Sequence, residues 1–225
     1  MAANEYLNKS IIYAGSDIFS IPSLQRLLDL KYKKITVLTR PPKRQGRGMK
    51  VKNNPLAQFS SEQNIETLMP EDPNDGGFLE SLKEIKPVAL ITSAYGKMVS
   101  EALLDIFSLG NINIHPSLLP RWRGPSPIES AILEGDTETG VTLMQMTEEL
   151  DAGPIYAQQS IPLGEENTMK LSEKLSLLAA NMLEGFLPSF LGGFQVMKEQ
   201  DERCVTHSKI IKKEHARVDW NEHPK

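Results

Sequence analysis

Short apolar runs alternate with amphipathic stretches through the first half of the chain, and this alternation constrains the fold more than any other feature. Ile11-Ile12-Tyr13-Ala14 closes in Gly15-Ser16-Asp17, the pattern of a buried strand ending in a glycine turn. Ser20 to Leu30 follows with Ile21, Leu24, Leu27 and Leu28 at helical spacing, Ser20 at the N-cap position and Pro22 in the first turn. Ile35-Thr36-Val37-Leu38 is the next strand. Strand, helix and strand within about thirty residues make a βαβ unit, whose crossover requires a parallel sheet.

The pattern continues. Helical spacing recurs over 55–64, 78–85, 100–107, 127–133 and 169–187, and strand patterns over 67–68, 88–92, 112–115, 141–146 and 155–161. The expected fold is α/β, a Rossmann-like, doubly wound, mostly parallel sheet that turns antiparallel in its second half. A chain of 225 residues can bury a core of that kind without disulfides or structural metal. One domain over 1–206 is expected. Residues 207–225 hold three of the four histidines and five Lys/Arg residues with little apolar periodicity, which suggests a basic tail or the start of an interdomain linker. The single cysteine, Cys204, permits neither an intrachain disulfide nor a cysteine-based zinc site, which suits a reducing, cytoplasmic setting. No apolar run approaches the ~18 residues needed to span a bilayer, and the first residues lack a signal-peptide core, so no membrane partner is expected.

Charge is unevenly distributed. The net charge is −4, yet the segment from Arg40 to Lys52 holds six basic and no acidic residues. The rest therefore carries −10, from −4 minus +6. Such a segment on an acidic body favours contact with a polyanion, through Arg40, Lys43, Arg44, Arg47, Lys50 and Lys52. Its proline and glycine content argues for a mobile loop without regular structure.

The chemistry points elsewhere than to nucleotide loops. Gly-x-Gly-x-x-Gly, Walker A, Gly-x-Ser-x-Gly and His-Glu-x-x-His are all absent. His115 ends the strand Asn111-Ile112-Asn113-Ile114-His115, which alternates strictly. Asn111, Asn113 and His115 share one face, which is unusual where strands are commonly apolar on both. The carboxyl end of a strand is where ligands bind in open α/β sheets. The following segment, Pro116 to Pro127, is stiffened by four prolines and carries Leu118, Leu119 and Trp122 in a loop, so it is suited to wall a pocket for a planar ligand. Asp151 stands in Glu148-Glu149-Leu150-Asp151-Ala152-Gly153-Pro154. Asn113, His115 and Asp151 together form an acid–base and oxyanion set for acyl transfer.

At these residues the sequence resembles the 10-formyltetrahydrofolate-dependent formyltransferases. The resemblance rests on Asn113-Ile114-His115-Pro116-Ser117-Leu118-Leu119-Pro120 and Leu150-Asp151-Ala152-Gly153. Tyr13-Ala14-Gly15-Ser16-Asp17-Ile18-Phe19, Gln45-Gly46-Arg47-Gly48, Arg121-Trp122-Arg123-Gly124, Gly140 to Met146 and Ala216-Arg217-Val218-Asp219-Trp220 resemble the methionyl-tRNA branch. The resemblance implies a monomeric enzyme that moves formyl from 10-formyltetrahydrofolate to the α-amine of initiator methionyl-tRNA, without a metal. It implies catalysis by Asn113, His115 and Asp151, with His115 either a base or a protonated oxyanion stabiliser. It also implies a folate site bordered by Ser117, Leu118, Leu119, Pro120, Tyr95 and Gly96. The family normally carries a C-terminal β-barrel that helps hold tRNA, whereas this sequence stops at Lys225, where the linker would begin, so weak tRNA affinity is expected. The rival readings are a sugar-nucleotide or ribonucleotide formyltransferase of the same superfamily, and an RNA-binding module without catalysis. The first would need a compact phosphate site, and the second leaves the Asn113, His115 and Asp151 set unexplained.

Overall fold

The computed structural model of the chain describes residues 6–45, 49–212 and 214. Its elements in chain order begin with β1 (Ser10–Gly15), α1 (Ile21–Asp29), β2 (Lys34–Leu38), β3 (Lys43–Gln45), β4 (Lys50–Lys52) and α2 (Pro55–Glu62). β5 (Thr67–Leu68), α3 (Gly76–Glu84), β6 (Ala89–Ser93), α4 (Glu101–Leu104), β7 (Asn111–His115) and α5 (Pro127–Leu133) follow. β8 (Glu138–Met144), β9 (Ile155–Pro162) and the long α6 (Thr168–Leu191) complete the series. Seven strands join in the order β5-β2-β1-β6-β7-β8-β9. The pairs from β5 to β7 are parallel, and β8 and β9 are added antiparallel. This is the Rossmann-like, mostly parallel sheet that the alternation predicts.

Side-chain alternation divides the core into two layers. Ile11 and Tyr13 of β1, Ile91 of β6 and Ile112 and Ile114 of β7 face α1, α2 and α6, where Leu24, Leu27, Leu56, Leu175, Leu183 and Leu187 cover them. Ile12, Ala14, Leu38 and Leu90 face the other way, toward Leu82 of α3 and Leu103 of α4. No residue of β7 belongs to this second cluster. The helical cover on that side therefore stops short of β7, which explains how Asn111, Asn113 and His115 can occupy one face of a strand in a doubly wound sheet.

Helix starts follow capping chemistry. Asn54, Asp75, Ser100 and Asn167 each accept a hydrogen bond from the backbone N–H three residues on. Ser20 stands at the head of α1 but instead donates its hydroxyl to the Asp17 carbonyl. Most element bounds shift by one or two residues, and three elements differ by more. α4 ends at Leu104 rather than 107, because i to i+3 bonds at Ile106 and Phe107 tighten the chain toward β7. β8 begins at Glu138 because its pairing with β9 runs out to Pro162. α6 continues to Leu191 despite Pro188, with Phe190 and Leu191 buried beyond it.

The basic segment requires a correction. Lys43–Gln45 and Lys50–Lys52 pair as an antiparallel hairpin, so 40–52 is not without regular structure. Pro41 and Pro42 precede the ladder and Gly46 and Gly48 fall between its strands in sequence, so neither kind of residue interrupts it. Among the described residues no helix is long and apolar enough to cross a membrane.

Leu183, fully buried between α6 and the sheet, tests the larger layer. Leu183→Ala should cost about 2–5 kcal/mol of unfolding free energy in a denaturant titration with an unchanged slope. A loss below about 1 kcal/mol would contradict this packing.

Candidate active site

The strand order reverses between β1 and β6. β2 and β5 extend the sheet to one side of β1, while β6 to β9 extend it to the other. The loops leaving β1 and β6 diverge there and open a crevice at the carboxyl edge. Ser16 ties the two sides together, donating its hydroxyl to the Tyr95 carbonyl at 3.0 Å. Asn54 holds the exit of β2 through the Thr39 hydroxyl at 3.0 Å and the Arg40 carbonyl at 2.9 Å. The hairpin of β3 and β4 grows from this same exit.

His115 lies at the carboxyl edge of β7, two strands from β1. The structure brings Asn113, His115 and Asp151 together although His115 and Asp151 are 36 positions apart in the sequence. The Asn113 amide donates to Asp151 Oδ1 at 3.4 Å. His115 Nδ1 lies 3.6 Å from Asp151 Oδ2, and the two side chains are 6% and 11% exposed. On the other side of the ring, Nε2 is 3.0 Å from the Trp122 carbonyl oxygen. That oxygen can only accept, so Nε2 carries a proton. Asp151 Oδ2 also accepts the Gly124 backbone N–H at 2.8 Å. The Asp151 loop turns tightly over β8. A Cβ at Gly153 would lie 2.0 Å from the Gln145 carbonyl oxygen, so Leu150-Asp151-Ala152-Gly153 must end in glycine.

The Trp122 carbonyl and the Gly124 N–H are site groups that side-chain chemistry alone does not reveal. Their signal in the sequence is the Arg121-Trp122-Arg123-Gly124 string. Thr92 is also not legible from the sequence. It is paired in register with Asn113 across β6 and β7, and its buried hydroxyl has no hydrogen-bond partner among the described residues.

The loop after β7 is organised by Thr142, the β8 partner of His115. The Thr142 hydroxyl donates to the Ser117 carbonyl at 2.6 Å and accepts the Leu119 N–H at 3.2 Å. Ser117 is buried, its hydroxyl donating to the Arg121 carbonyl. Leu119 turns inward and packs with Met144 and Ile155, so this residue serves a small core rather than an open wall. Pro120 follows it through a cis peptide, and its carbonyl accepts the Thr206 N–H. Leu118 lines a cavity of about 320 Å³ with Arg121, Trp122, Asp136, Thr137, Glu138 and Thr139. Beside it Arg121 donates through Nε to Asp136 at 2.9 Å, Trp122 Nε1 donates to the same carboxylate at 2.8 Å, and the Arg121 guanidinium stacks 4.3 Å over the Trp122 ring.

Tyr95 and Gly96 border the crevice. Burial pushes the Tyr95 hydroxyl up to about 12, with nearby Arg40 partly offsetting it, and that hydroxyl has no partner among the described residues. Gly96 has φ +71, and the Arg40 guanidinium lies 3.3 Å from where a Cβ would stand. The basic residues are thus divided. Arg40 lies over Gly96 at the crevice, whereas Lys43, Lys50 and Lys52 share one face of the hairpin and Arg44 and Val51 the other. Arg47 lies outside the described residues, as does most of the tail from 207 on. No group of three or more His, Cys, Asp and Glu residues able to hold a metal is assembled among the described residues.

Known proteins resemble this chain in sequence and in fold. The formyl transferase family matches residues 13–184. A methionyl-tRNA formyltransferase of Caldanaerobacter subterraneus subsp. tengcongensis is 37% identical over 212 residues, which is 93% of this chain and 69% of that protein. The N-formyltransferase of Helicobacter canadensis, solved with folinic acid and dTDP-3-aminofucose, has a TM-score of 0.70 at 17% identity over 89% of this chain and 70% of its own. Glycinamide ribonucleotide transformylase 1 of Symbiobacterium toebii has a TM-score of 0.68 at 20% identity, covering 87% of this chain and 95% of its own.

The Asp136 clamp gives a pH test of the loop. Hydrogen bonds from Arg121, and then from Trp122, hold the Asp136 carboxyl below the usual carboxylate range. The stability it lends is therefore present above the unfolded-state value and lost as pH falls through the lowered folded value. Asp136→Asn should cost about 1 kcal/mol at neutral pH, allowing for screening at the part-exposed Arg121. Denaturant unfolding at about pH 7 and about pH 3 should show that deficit shrinking once pH falls below the unfolded-state value of roughly 3.9. An equal deficit at both pH values would contradict the assignment.

Proposed function

The chain belongs to the formyl transferase family, and from that premise we propose that it moves a formyl group from 10-formyltetrahydrofolate to the α-amine of methionyl-tRNA. One observation carries the reading: Asn113, His115 and Asp151 converge at the carboxyl edge of the sheet, on the same edge from which the basic hairpin rises. The relatives that bear the name methionyl-tRNA formyltransferase support the acceptor. The hairpin supports it independently, because an acidic body needs a local cationic surface to receive a polyanion.

The reaction joins the acceptor nitrogen to the formyl carbon, which becomes tetrahedral while its oxygen takes on negative charge. The carbon–N10 bond then breaks, N10 receives a proton and the acceptor nitrogen gives one up. The Asn113 amide can turn from its long contact with Asp151 to donate to the developing oxyanion. Both ring nitrogens of His115 face acceptor oxygens, with the Trp122 carbonyl on one side and the Asp151 carboxylate on the other. His115 therefore stands beside the reacting groups, where it serves either the developing oxyanion or the acceptor nitrogen's proton, with Asp151 as the group that orients it. Of the residues assigned to the folate donor, Leu118 lines the cavity beside Asp136, Tyr95 and Gly96 follow β6 at the crevice, and Ser117, Leu119 and Pro120 shape the loop after β7.

Two measurements test this. Asn113→Ala and His115→Ala should each lower kcat for formyl transfer to methionyl-tRNA by ~10²–10³, with a much smaller change in KM for the donor. A His115→Ala enzyme within threefold of the unmodified chain would remove His115 from the chemistry. Replacing Lys43, Lys50 and Lys52 together by alanine should raise KM for the tRNA and flatten its salt dependence, while KM for the folate stays unchanged. If an amino-sugar nucleotide rather than methionyl-tRNA is formylated, the acceptor assignment falls while the family chemistry stands.

A further inference from the structure

We propose that Gln200 and Thr206, on a strap of chain from Lys198 to Ser208, are positioning residues for formyl transfer. This inference rests on the reading of Asn113, His115 and Asp151 given above. The strap lies beyond residue 184, where the family match ends. It docks first on β9, where Lys198 and Ile155 exchange backbone hydrogen bonds of 2.8 and 2.9 Å. It then crosses beneath the Asp151 loop and runs along the segment from Pro120 to Ser126.

Its contacts fall on the backbone of both groups that hold His115. The Gln200 amide donates to the Asp151 carbonyl and to the Gly153 carbonyl, each at 2.8 Å. The Thr206 hydroxyl accepts the Trp122 N–H at 2.9 Å. Asp151 and Trp122 are the residues whose carboxylate and carbonyl flank the imidazole. Both stand in left-handed backbone, at φ +53 and φ +67, a region that a non-glycine residue occupies only where its surroundings impose it. In each case the strap hydrogen-bonds that residue's own backbone.

The same piece of chain links the two branches. Arg123, 2% exposed, donates through Nε to Gln200 Oε1 at 3.0 Å and through NH2 to Glu202 at 2.7 Å. Its backbone N–H donates to the Thr206 carbonyl, and its carbonyl accepts the Ser208 N–H. Gly124, with φ +112, leaves no room for a side chain, because a Cβ would sit 2.9 Å from the Ser208 carbonyl oxygen. Gln200 thus has its oxygen on the Trp122 side of the site and its nitrogen on the Asp151 side. Fixing these two loops relative to each other sets the gap into which the His115 ring fits, and small misplacements of catalytic groups carry large rate penalties.

Gln200→Leu and Thr206→Val remove the hydrogen bonds and nearly keep the shapes, and they can be made in the full chain. Each should lower kcat by roughly 10-fold while KM for donor and acceptor stays within about threefold. Thr206→Ser, which retains the hydroxyl, should restore most of the rate. The ring ¹⁵N and ¹H signals of His115, followed by NMR, should move in Gln200→Leu and Thr206→Val and return in Thr206→Ser. This second readout needs no substrate. If the unmodified chain fails to transfer formyl, the proposed function is lost while the coupling is still decided by the NMR arm. Folded Gln200→Leu and Thr206→Val proteins with unchanged His115 signals, or with unchanged kcat in an active enzyme, would overturn the inference. So would a Thr206→Ser variant as impaired as Thr206→Val, because the hydroxyl would then not be what acts.

Discussion

Asp151 presents one carboxylate to three nitrogen groups of β7 and the loop after it, and the arrangement of the site depends on that convergence. The Gly124 N–H approaches Oδ2 at 2.8 Å, His115 Nδ1 stands 3.6 Å from the same oxygen, and the Asn113 amide reaches Oδ1 at 3.4 Å. β7 supplies two of these groups and the loop after it supplies the third. A carboxylate that is 11% exposed has lost most of its water, so donors around it must compensate. The Gly124 N–H and the Asn113 amide supply part of that compensation, so the carboxylate fixes the positions of the groups around it.

The sheet prepares this meeting. Parallel strands end on one edge, and the reversal of order between β1 and β6 opens that edge to a ligand. The antiparallel addition of β8 and β9 carries the chain back past His115, so that Thr142 shapes the loop after β7 and the turn before β9 delivers Asp151. The end of the second helical layer before β7 leaves room for polar side chains there. The hairpin leaves β2 at this same edge, which brings its basic residues to the edge where Asn113, His115 and Asp151 meet.

Much of this was legible in the sequence. Period-two and helical spacing located the strands and helices, because each element buries one stripe and the stripe repeats. The odd polarity of Asn111, Asn113 and His115 marked the site for the same reason, since it broke the rule for a covered strand. Asp151 entered only as the third member of a polar set with Asn113 and His115, and the resemblance to formyltransferases strengthened it, since a lone aspartate in a loop is usually a turn former. What stayed hidden is made of backbone and long-range contact. The Trp122 carbonyl and the Gly124 N–H have no side-chain signature. The hairpin of β3 and β4 was obscured because prolines and glycines flank and separate two three-residue strands without entering them. The inward turn of Leu119 depends on Met144 and Ile155, which are distant in sequence. Gln200 and Thr206 reach the site only through the folded path of the strap.

The most direct test of the account is the kcat of Asp151→Asn, which keeps the size of the side chain and removes its charge. If Asp151 orients His115, kcat for formyl transfer should fall by ~10²-fold or more while KM for the folate donor changes much less. A folded Asp151→Asn enzyme with a rate within threefold of the unmodified chain would contradict it, leaving Asp151 as a residue that only forms its turn.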